Sequence, residues 1–323
     1  MAVRGKFLIT IDTEGDNLWA KPREITTRNS RFLGRFQTLC ERYGFKPVYL
    51  TDFEMANCPV FAEFGRDVLA RGTGEIGMHL HAWNSPPITP LTRDDYLFQP
   101  YLIEYPEPLM REKIIRLTRL LEDTFSARMS SHRAGRWAFN EAYARVLCEA
   151  GYTADCSVTP GVSWADHKGD PNGRGGSDYR RFPADAYLLA PGDISRPGDS
   201  TLLEVPMTVV SFLPRLLHGI ERKGPAGRVL NRFYPLYWLR PNGHNLEKII
   251  RLVRRAAAEK RPYVEFMLHS SEFMPGGSPT FAVEADIERL YEHLEQLFDE
   301  ASSHFEGATL AEFAQQKLVS TRV

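Results

Sequence analysis

The sequence has few cysteines and no long hydrophobic run. Its four cysteines, Cys40, Cys58, Cys148 and Cys156, show no CxxC spacing, so we expect free thiols and a reducing, cytoplasmic location. The mainly apolar run from Phe7 to Ile11 is too short for the core of a signal peptide. No segment approaches the roughly 18 to 20 apolar residues needed to span a bilayer, so we expect no transmembrane helix.

The chain also lacks a net charge of either sign. Its 40 basic and 41 acidic side chains leave a formal charge of -1, so no overall field favours nucleic acid, and binding must depend on a local site. The hydrophobic content of 43% is sufficient for a packed core. The sequence shows no repeat or clear domain boundary, and we expect one catalytic domain over residues 1–323.

Short apolar or β-branched runs alternate with helical stretches along the chain. This alternation is typical of βα units and predicts an α/β fold with a parallel sheet. Apolar stripes predict helices from Phe32 to Tyr43, from Pro59 to Gly72 with Asn57 as the cap, from Leu109 to Phe125 and from Ile287 to Phe298. The predicted strands are Lys6 to Asp12, Pro47 to Thr51, Glu75 to Leu80, Arg128 to His132, Tyr152 to Ser157, Leu202 to Val209 and Tyr263 to Leu268.

Two segments depart from this pattern. Residues of about 159–200 are rich in glycine and proline, and a loop of this length is expected to overhang a site or contact a partner. Asp166 and His167 within it are interpreted as ordinary loop residues. A basic, aromatic excursion at about 212–243 could make peripheral contact with a membrane glycolipid, although a helical excursion on the side of the fold is the simpler interpretation.

Several ionisable residues follow the predicted strands at the end where parallel βα folds build their active sites. Residues two apart on a strand point to the same face, so Asp12 and Glu14 can converge, as can the two histidines of HLH. A carboxylate and two imidazoles suit a catalytic divalent metal with an open position for water. The candidates are Asp12, Glu14, His79, His81, Arg133, Asp155, Ser157 and His269.

The order of these fragments resembles the polysaccharide deacetylases with NodB homology, carbohydrate esterase family 4. The resemblance runs from about residue 5 to residue 275 and implies a distorted (β/α)7 barrel. The first family motif, a strand ending in T-F-D-D, is similar to Thr10-Ile11-Asp12-Thr13-Glu14, and the second, the histidine motif, is similar to Gly74 to His79. The third, R-x-P-[YF], is similar to Arg133 to Trp137. The fourth is similar to Asp155-Cys156-Ser157 and the fifth to Leu268-His269.

Two departures from the family pattern distinguish this sequence from most members of the family. The usual HxxxH spacing would put the second histidine at Trp83, whereas the sequence offers His81. The two acids are separated by Thr13. The tight HLHAW form is similar to the WalW-like proteins associated with lipopolysaccharide biosynthesis.

The resemblance implies a role for each residue. Glu14, His79 and His81 would hold the metal, most simply Zn²⁺, and Asp12 would be the general base. An exchange of roles between Asp12 and Glu14 stays open, because the spacing permits either. Arg133 would hold Asp12 ionised.

Further roles follow from the same resemblance. His269 would be the general acid that protonates the leaving amine, with Asp155 accepting a hydrogen bond from its other ring nitrogen. Independently of the resemblance, Trp83 and Trp137 are candidate walls for a sugar ring, with packing in the core as the alternative, and Ser157 is a candidate substrate contact.

Three functions are compatible with this site. The first is metal-dependent removal of an N-acetyl or other N-acyl group from a sugar in cell-surface polysaccharide or lipopolysaccharide biosynthesis. The second is hydrolysis of a small amide, for which we expect a closed pocket rather than a long groove. The third is carbohydrate binding without catalysis, by a relative that has lost turnover. The complete set of candidate residues argues against this third function.

Overall fold

The structure is a computed structural model that describes residues 4–211 and 224–321. Strands and helices alternate over most of this length. The strands are β1 Gly5–Thr13, β2 Pro47–Thr51, β3 Glu75–Leu80, β4 Ser131–Ala134, β5 Ala154–Asp155, β6 Tyr187–Ala190, β7 Asp193–Pro197, β8 Leu203–Glu204, β9 Val209–Ser211, β10 Leu236–Trp238, β11 Tyr263–His269 and β12 Phe305–Ala308.

The helices lie mainly between successive strands. They are α1 Leu33–Arg42, α2 Phe53–Ala56, α3 Pro59–Arg71, α4 Asp95–Phe98, α5 Glu107–Phe125, α6 Glu141–Ala150, α7 Gly224–Phe233, α8 Leu246–Ala258, α9 Glu284–His304 and α10 Leu310–Thr321. Short 3-10 turns occupy Leu18–Ala20, Arg28–Phe32, Leu102–Glu104, Gly135–Trp137 and Ser270–Phe273. Among the described residues, no helix is both long and apolar enough to cross a membrane.

The main sheet has the strand order β11-β1-β2-β3-β4-β5-β8-β6-β7, with β12 beside β1. Every pair from β11 to β8 is parallel, whereas β6 pairs antiparallel with both β8 and β7. The predicted strands correspond to the parallel strands β11, β1, β2, β3, β4, β5 and β8. The parallel strand β12 was not predicted, and β9 begins at Val209, the last residue of the predicted Leu202 to Val209 run. The sheet curls into an incomplete barrel, which confirms the predicted α/β, distorted-barrel fold.

The two faces of the curled sheet are covered differently. Phe7, Ile9 and Ile11 pack into the large core that the surrounding helices share. Leu8 between them belongs to a second core on the inner face, with Val48, Leu50, Ala154, Leu203, Tyr263, Leu310 and Phe313. Because side chains alternate along a strand, this parity decides which residues of each strand can reach an inner site.

The structure corrects two details of the sequence analysis. Residues 159–200 contain the β6–β7 hairpin rather than only irregular loop. Asn57 is not the N-cap of α3: it follows α2, its side chain donates to the Phe53 carbonyl, and Cys58 occupies the cap position. Part of the basic excursion, residues 212–223, lies outside the described residues, and α7 and β10 follow it.

Candidate active site

Strands β1 and β3, which lie on either side of β2 in the sheet, bring three candidate metal-binding side chains together. Glu14 follows β1, while His79 lies in β3 and His81 comes directly after it. Glu14 Oε2 lies 2.9 Å from His81 Nε2 and 3.5 Å from His79 Nε2. One ligand atom from each residue falls within 4.8 Å of the others, and all three side chains are buried. In the described part of the chain, this is the one such group of three.

The hydrogen bond of His79 Nδ1 leaves Nε2 of the same ring as the ligand atom. His79 Nδ1 lies 3.0 Å from the backbone carbonyl of Arg133, so Nδ1 carries the proton and donates it to that oxygen. The lone pair of His79 is then on Nε2, the atom that faces Glu14. A metal-binding histidine typically has its other ring nitrogen bound to a carbonyl or carboxylate in this way. The donor set therefore fits a divalent cation such as zinc.

Gly135 makes room for this arrangement. It follows β4, and a β-carbon at this position would lie 2.5 Å from the Leu80 carbonyl oxygen and 2.7 Å from His81 Nδ1. Both distances are below van der Waals contact, so only glycine lets the backbone pass this close to the histidine ring.

Asp12 lies on the inner face of β1 beside the donor set. One of its oxygens accepts a hydrogen bond from Arg133, and Oδ2 lies 3.9 Å from His79 Nε2 and 3.8 Å from His269 Nε2. Burial opposes ionisation, but the Arg133 cation, with His79 and His269, holds the pKa of Asp12 below its usual value. Asp12 is thus an ionised carboxylate with one oxygen directed to the site.

Arg133 is fully buried and reaches Asp12 from behind. Its guanidinium also donates to Glu265 and, at 2.7 Å, to Thr10 Oγ1, and Nε donates to the Cys156 carbonyl at 3.2 Å. Burial raises the pKa of Glu265 to about 7, against the lowering effect of Arg133. Arg133 does not line the pocket and acts through Asp12.

His269 ends β11 and faces the same point. Its Nε2 lies 3.8 Å from Glu14 Oε1, and its Nδ1 lies 3.2 Å from Glu272 Oε2. Glu272 also accepts from the His269 backbone N–H at 2.9 Å and from Arg240 at 3.0 Å. Burial would raise the pKa of Glu272, but Arg240 and His269 lower it. Arg240 Nη2 also lies 3.2 Å from His269 Nδ1, but Glu272 is the acceptor there and, being ionised, favours a proton on Nδ1.

The predicted pairing of Asp155 with His269 is wrong. Asp155 accepts from Ser157 Oγ at 2.6 Å and lies 3.3 Å from His132 Nδ1. His132 Nε2 lies 2.7 Å from Tyr143 on α6. This group is on the helix-covered side of the sheet, because the neighbours of Asp155 in sequence, Ala154 and Cys156, belong to the inner core.

Ser157 is likewise not in the pocket. Its hydroxyl is fully buried, donates to Asp155 and accepts the backbone N–H of Ala134 at 2.8 Å. The predicted substrate contact of Ser157 is therefore replaced by a structural role in joining β4 to the segment after β5.

A pocket of about 310 Å³ opens over the donor set. Trp83 and Trp137, named from the sequence, line it, and so does His167, which was interpreted as an ordinary loop residue. Arg136 and Trp137 both have left-handed backbone conformations, with φ of 54° and 61°, which are uncommon for residues with side chains and cluster at functional sites. Sequence reasoning missed Trp19, Trp164, Arg240 and Glu272, because they lie outside the strand ends.

Solved structures share this arrangement of the chain. A protein assigned as a polysaccharide deacetylase in Mycobacterium smegmatis superimposes with a TM-score of 0.52 at 16% identity, over 98% of this chain and 92% of that one. This chain has the polysaccharide-deacetylase fold. A protein assigned as a glycoside hydrolase/deacetylase in Parabacteroides distasonis gives a TM-score of 0.57 at 10% identity, over 97% of this chain and 71% of that one.

The same fold also occurs in an allantoinase. The PuuE allantoinase gives a TM-score of 0.53 at 14% identity, over 98% of this chain and 90% of that one. No family model matches the sequence, and no curated protein matches it.

Proposed function

We propose that the chain is a metal-dependent hydrolase that removes an N-acyl group from a sugar. The observation that carries this proposal is the position of Asp12 and His269. Each has an atom within 4 Å of the donor set, at 3.9 Å from His79 and 3.8 Å from Glu14 respectively. Amide hydrolysis needs a base for the attacking water and an acid for the leaving amine, and both groups are close enough to serve.

Each side chain has a distinct task in this reaction. When bound, a divalent cation, which we propose to be zinc, supplies Lewis acidity toward the amide carbonyl and the attacking water. Asp12 accepts the proton of the water at Oδ2, because its other oxygen is held by Arg133. His269, with both ring nitrogens protonated, donates the Nε2 proton to the amine nitrogen and keeps the Nδ1 proton toward Glu272, which orients the imidazole from the opposite side.

The distances favour Glu14 rather than Asp12 as the metal ligand. Glu14 Oε2 is 2.9 Å and 3.5 Å from the two histidine nitrogens. Asp12 Oδ2 is 3.9 Å from His79, and its partner oxygen is already occupied by Arg133. We therefore assign Asp12 as the base.

The distribution of tryptophan favours a saccharide over a small amide. The chain contains five tryptophans, and all of them line the pocket or the cleft that adjoins it: Trp19, Trp83, Trp137, Trp164 and Trp238. Indole rings offer large apolar faces with a polar edge, which suits sugar rings better than a small polar amide. Likeness to the PuuE allantoinase supports the small-amide alternative, and a direct assay separates the two.

A narrower assignment follows the histidine spacing. We propose the WalW-like branch, with a substrate in cell-surface polysaccharide or lipopolysaccharide biosynthesis and action in the cytoplasm. The support is that His79 and His81, two residues apart, both approach Glu14. The four cysteines are free, which agrees with a reducing compartment.

Metal content and acetate release test the proposal together. We expect the purified protein, stripped and reloaded with zinc, to hold about one metal per chain, and His79→Ala, His81→Ala and Glu14→Ala to lose it. His304→Ala, on the surface of α9, is the matched control that keeps it. The reloaded protein should release acetate from N,N′-diacetylchitobiose and leave allantoin intact. Failure to bind metal, or cleavage of allantoin alone, would contradict the proposal.

A further inference from the structure

A second cleft adjoins the pocket over the donor set. It has a volume of about 460 Å³ and shares Trp137, Trp164 and Arg240 with the pocket of about 310 Å³. Because these side chains belong to both walls, a ligand bound over the metal donors can continue into the cleft without leaving the protein surface.

Tryptophan rings form one wall of this cleft. The Trp238 ring centroid lies 5.8 Å from that of Trp137 and 6.2 Å from that of Trp164. All three residues are half-buried, so parts of their rings stay accessible. An open aromatic wall is suited to a ring with an apolar face and polar edges, as in a second sugar unit.

The charged groups of the cleft are positive. Arg240 and Lys248 line it, and no carboxylate lines it within residues 4–211 and 224–321. Glu272 neutralises Arg240 at 3.0 Å. Lys248 is exposed, makes no salt bridge with a described carboxylate, and holds its ammonium nitrogen 5.4 Å from the centre of the Tyr237 ring. Lys248 is thus the cationic side chain of the cleft that can pair with an anionic group of a ligand.

The loop that carries these groups is held in place by its own hydrogen bonds. Asn245 donates from Nδ2 to the Arg240 carbonyl at 2.8 Å and accepts the Asn242 N–H at 3.0 Å. Lys248 follows within the first turn of α8. The cleft is therefore formed before a ligand arrives, which reduces the entropy lost on binding.

We propose that this cleft binds a second, acidic unit of the substrate, stacked on Trp238 and paired with Lys248 through a carboxylate or phosphate. The inference rests on the proposed function, because it specifies the substrate class of the same site. The substrate is an N-acylated saccharide that carries a negative charge next to the N-acylated sugar.

Binding without turnover tests this assignment. The metal is removed by chelation, and affinities are measured from the tryptophan fluorescence of the full chain. The probes are N,N′-diacetylchitobiose as the neutral ligand, a disaccharide of glucuronic acid and N-acetylglucosamine for the carboxylate, and N-acetylglucosamine 1-phosphate for the phosphate. At least one acidic probe is expected to bind about fivefold more tightly than the neutral one, as for a partly exposed ion pair.

Variants assign the preference to the cleft. Lys248→Ala should remove it, whereas Lys260→Ala, a lysine at a separate cavity, should retain it. Trp238→Ala should weaken binding of both disaccharides about tenfold. Equal affinities for all probes in the wild type, or an unchanged preference in Lys248→Ala, would overturn the inference.

Acetate release separates this inference from the proposed function. If the zinc-loaded protein deacetylates the neutral disaccharide and no acidic probe is preferred, the proposed function stands and the acidic subsite is wrong. If Lys248 confers the preference but no probe releases acetate, the subsite stands and the proposed catalysis is wrong.

Discussion

Two clusters of buried polar and ionisable side chains lie on opposite faces of the main sheet. The inner cluster contains Asp12, Glu14, His79, Arg133 and Glu265. The outer cluster contains His132, Tyr143, Asp155, Ser157 and Glu204. Both are almost fully buried. Only the inner cluster reaches a pocket, through Asp12, Glu14 and His79, whereas no member of the outer cluster lines a described pocket.

The difference is set by the alternation of side chains along each strand. On β4 the adjacent residues His132 and Arg133 belong to opposite clusters, because consecutive side chains point to opposite faces. Register then aligns His132 with Asp155 and Asp155 with Glu204 on the next strands. Burial and charge alone therefore do not identify catalytic residues in this fold, since access from the pocket is also required.

The largest expected effect separates the two aspartates. Asp12→Asn should keep zinc but lower kcat by about 10² to 10⁴, because the general base is lost. Asp155→Asn should leave kcat within a few-fold and lower the free energy of unfolding by about 2 kcal/mol, because a buried hydrogen-bond network is disturbed. Acetate release and urea denaturation of both variants measure these effects. A larger loss of kcat in Asp155→Asn than in Asp12→Asn would reverse the comparison.

Glu272 tests the catalytic role proposed for His269, which lies beside the inner cluster. Glu272→Gln should lower kcat by about 10- to 100-fold with little change in KM, because the neutral amide, with one acceptor oxygen in place of two and no charge, holds His269 Nδ1–H less strongly. Steady-state kinetics on one N-acetylated saccharide measure both constants. Glu288→Gln, on the surface of α9, is the control. An unchanged kcat in Glu272→Gln would show that His269 is oriented by other groups.

A substitution at Gly135 tests whether the inner site requires the backbone at this residue to lie close to the His81 ring. Gly135→Ala should weaken zinc binding about tenfold, because its methyl group would displace His81 from Glu14. Gly34→Ala in α1 is the matched control, since a β-carbon there meets nothing within 4 Å and should be neutral or stabilising. Zinc affinity by competition with a chelator distinguishes them. Equal affinities would mean that the β4 backbone moves to accommodate the methyl group.

The periodicity of the sequence predicted an α/β fold with a parallel sheet, and the family resemblance implied the distorted barrel. β2 and β3 begin and end at the predicted residues, because their apolar runs are bounded by clear turn and polar signals. The β6–β7 hairpin was not predicted, since its residues are mixed with glycine, proline and charges that resemble a loop.

The limits of the site prediction have a similar physical origin. Glu14, His79 and His81 were identified because they lie at strand ends, where Glu14 is two residues from Asp12 and His79 is two residues from His81. Asp155 ends β5 and Ser157 follows it, but β5 has only two residues, too few to show which parity faces inward. Glu272 lies in a turn after β11, where no periodic signal exists.

The smallest expected effect concerns pH and the outer cluster. Burial, followed by the neighbouring Asp155, raises the pKa of Glu204 well above its ordinary value. One of its oxygens accepts the Val158 N–H at 3.0 Å, and the other has no partner among the described residues. Glu204 is therefore protonated in the folded protein over a pH range in which the unfolded chain has lost the proton.

Because the folded state then binds more protons, the free energy of unfolding that depends on Glu204 falls as pH rises above about 4.5. Glu204→Gln cannot titrate, so its stability relative to wild type should increase by on the order of 1 kcal/mol between pH 5 and pH 8. Urea denaturation at both pH values measures the difference, with the exposed Glu247→Gln as the control. A relative stability that fell with pH would mean that Glu204 is ionised in the fold, and the outer cluster would then hold charge as the inner one does.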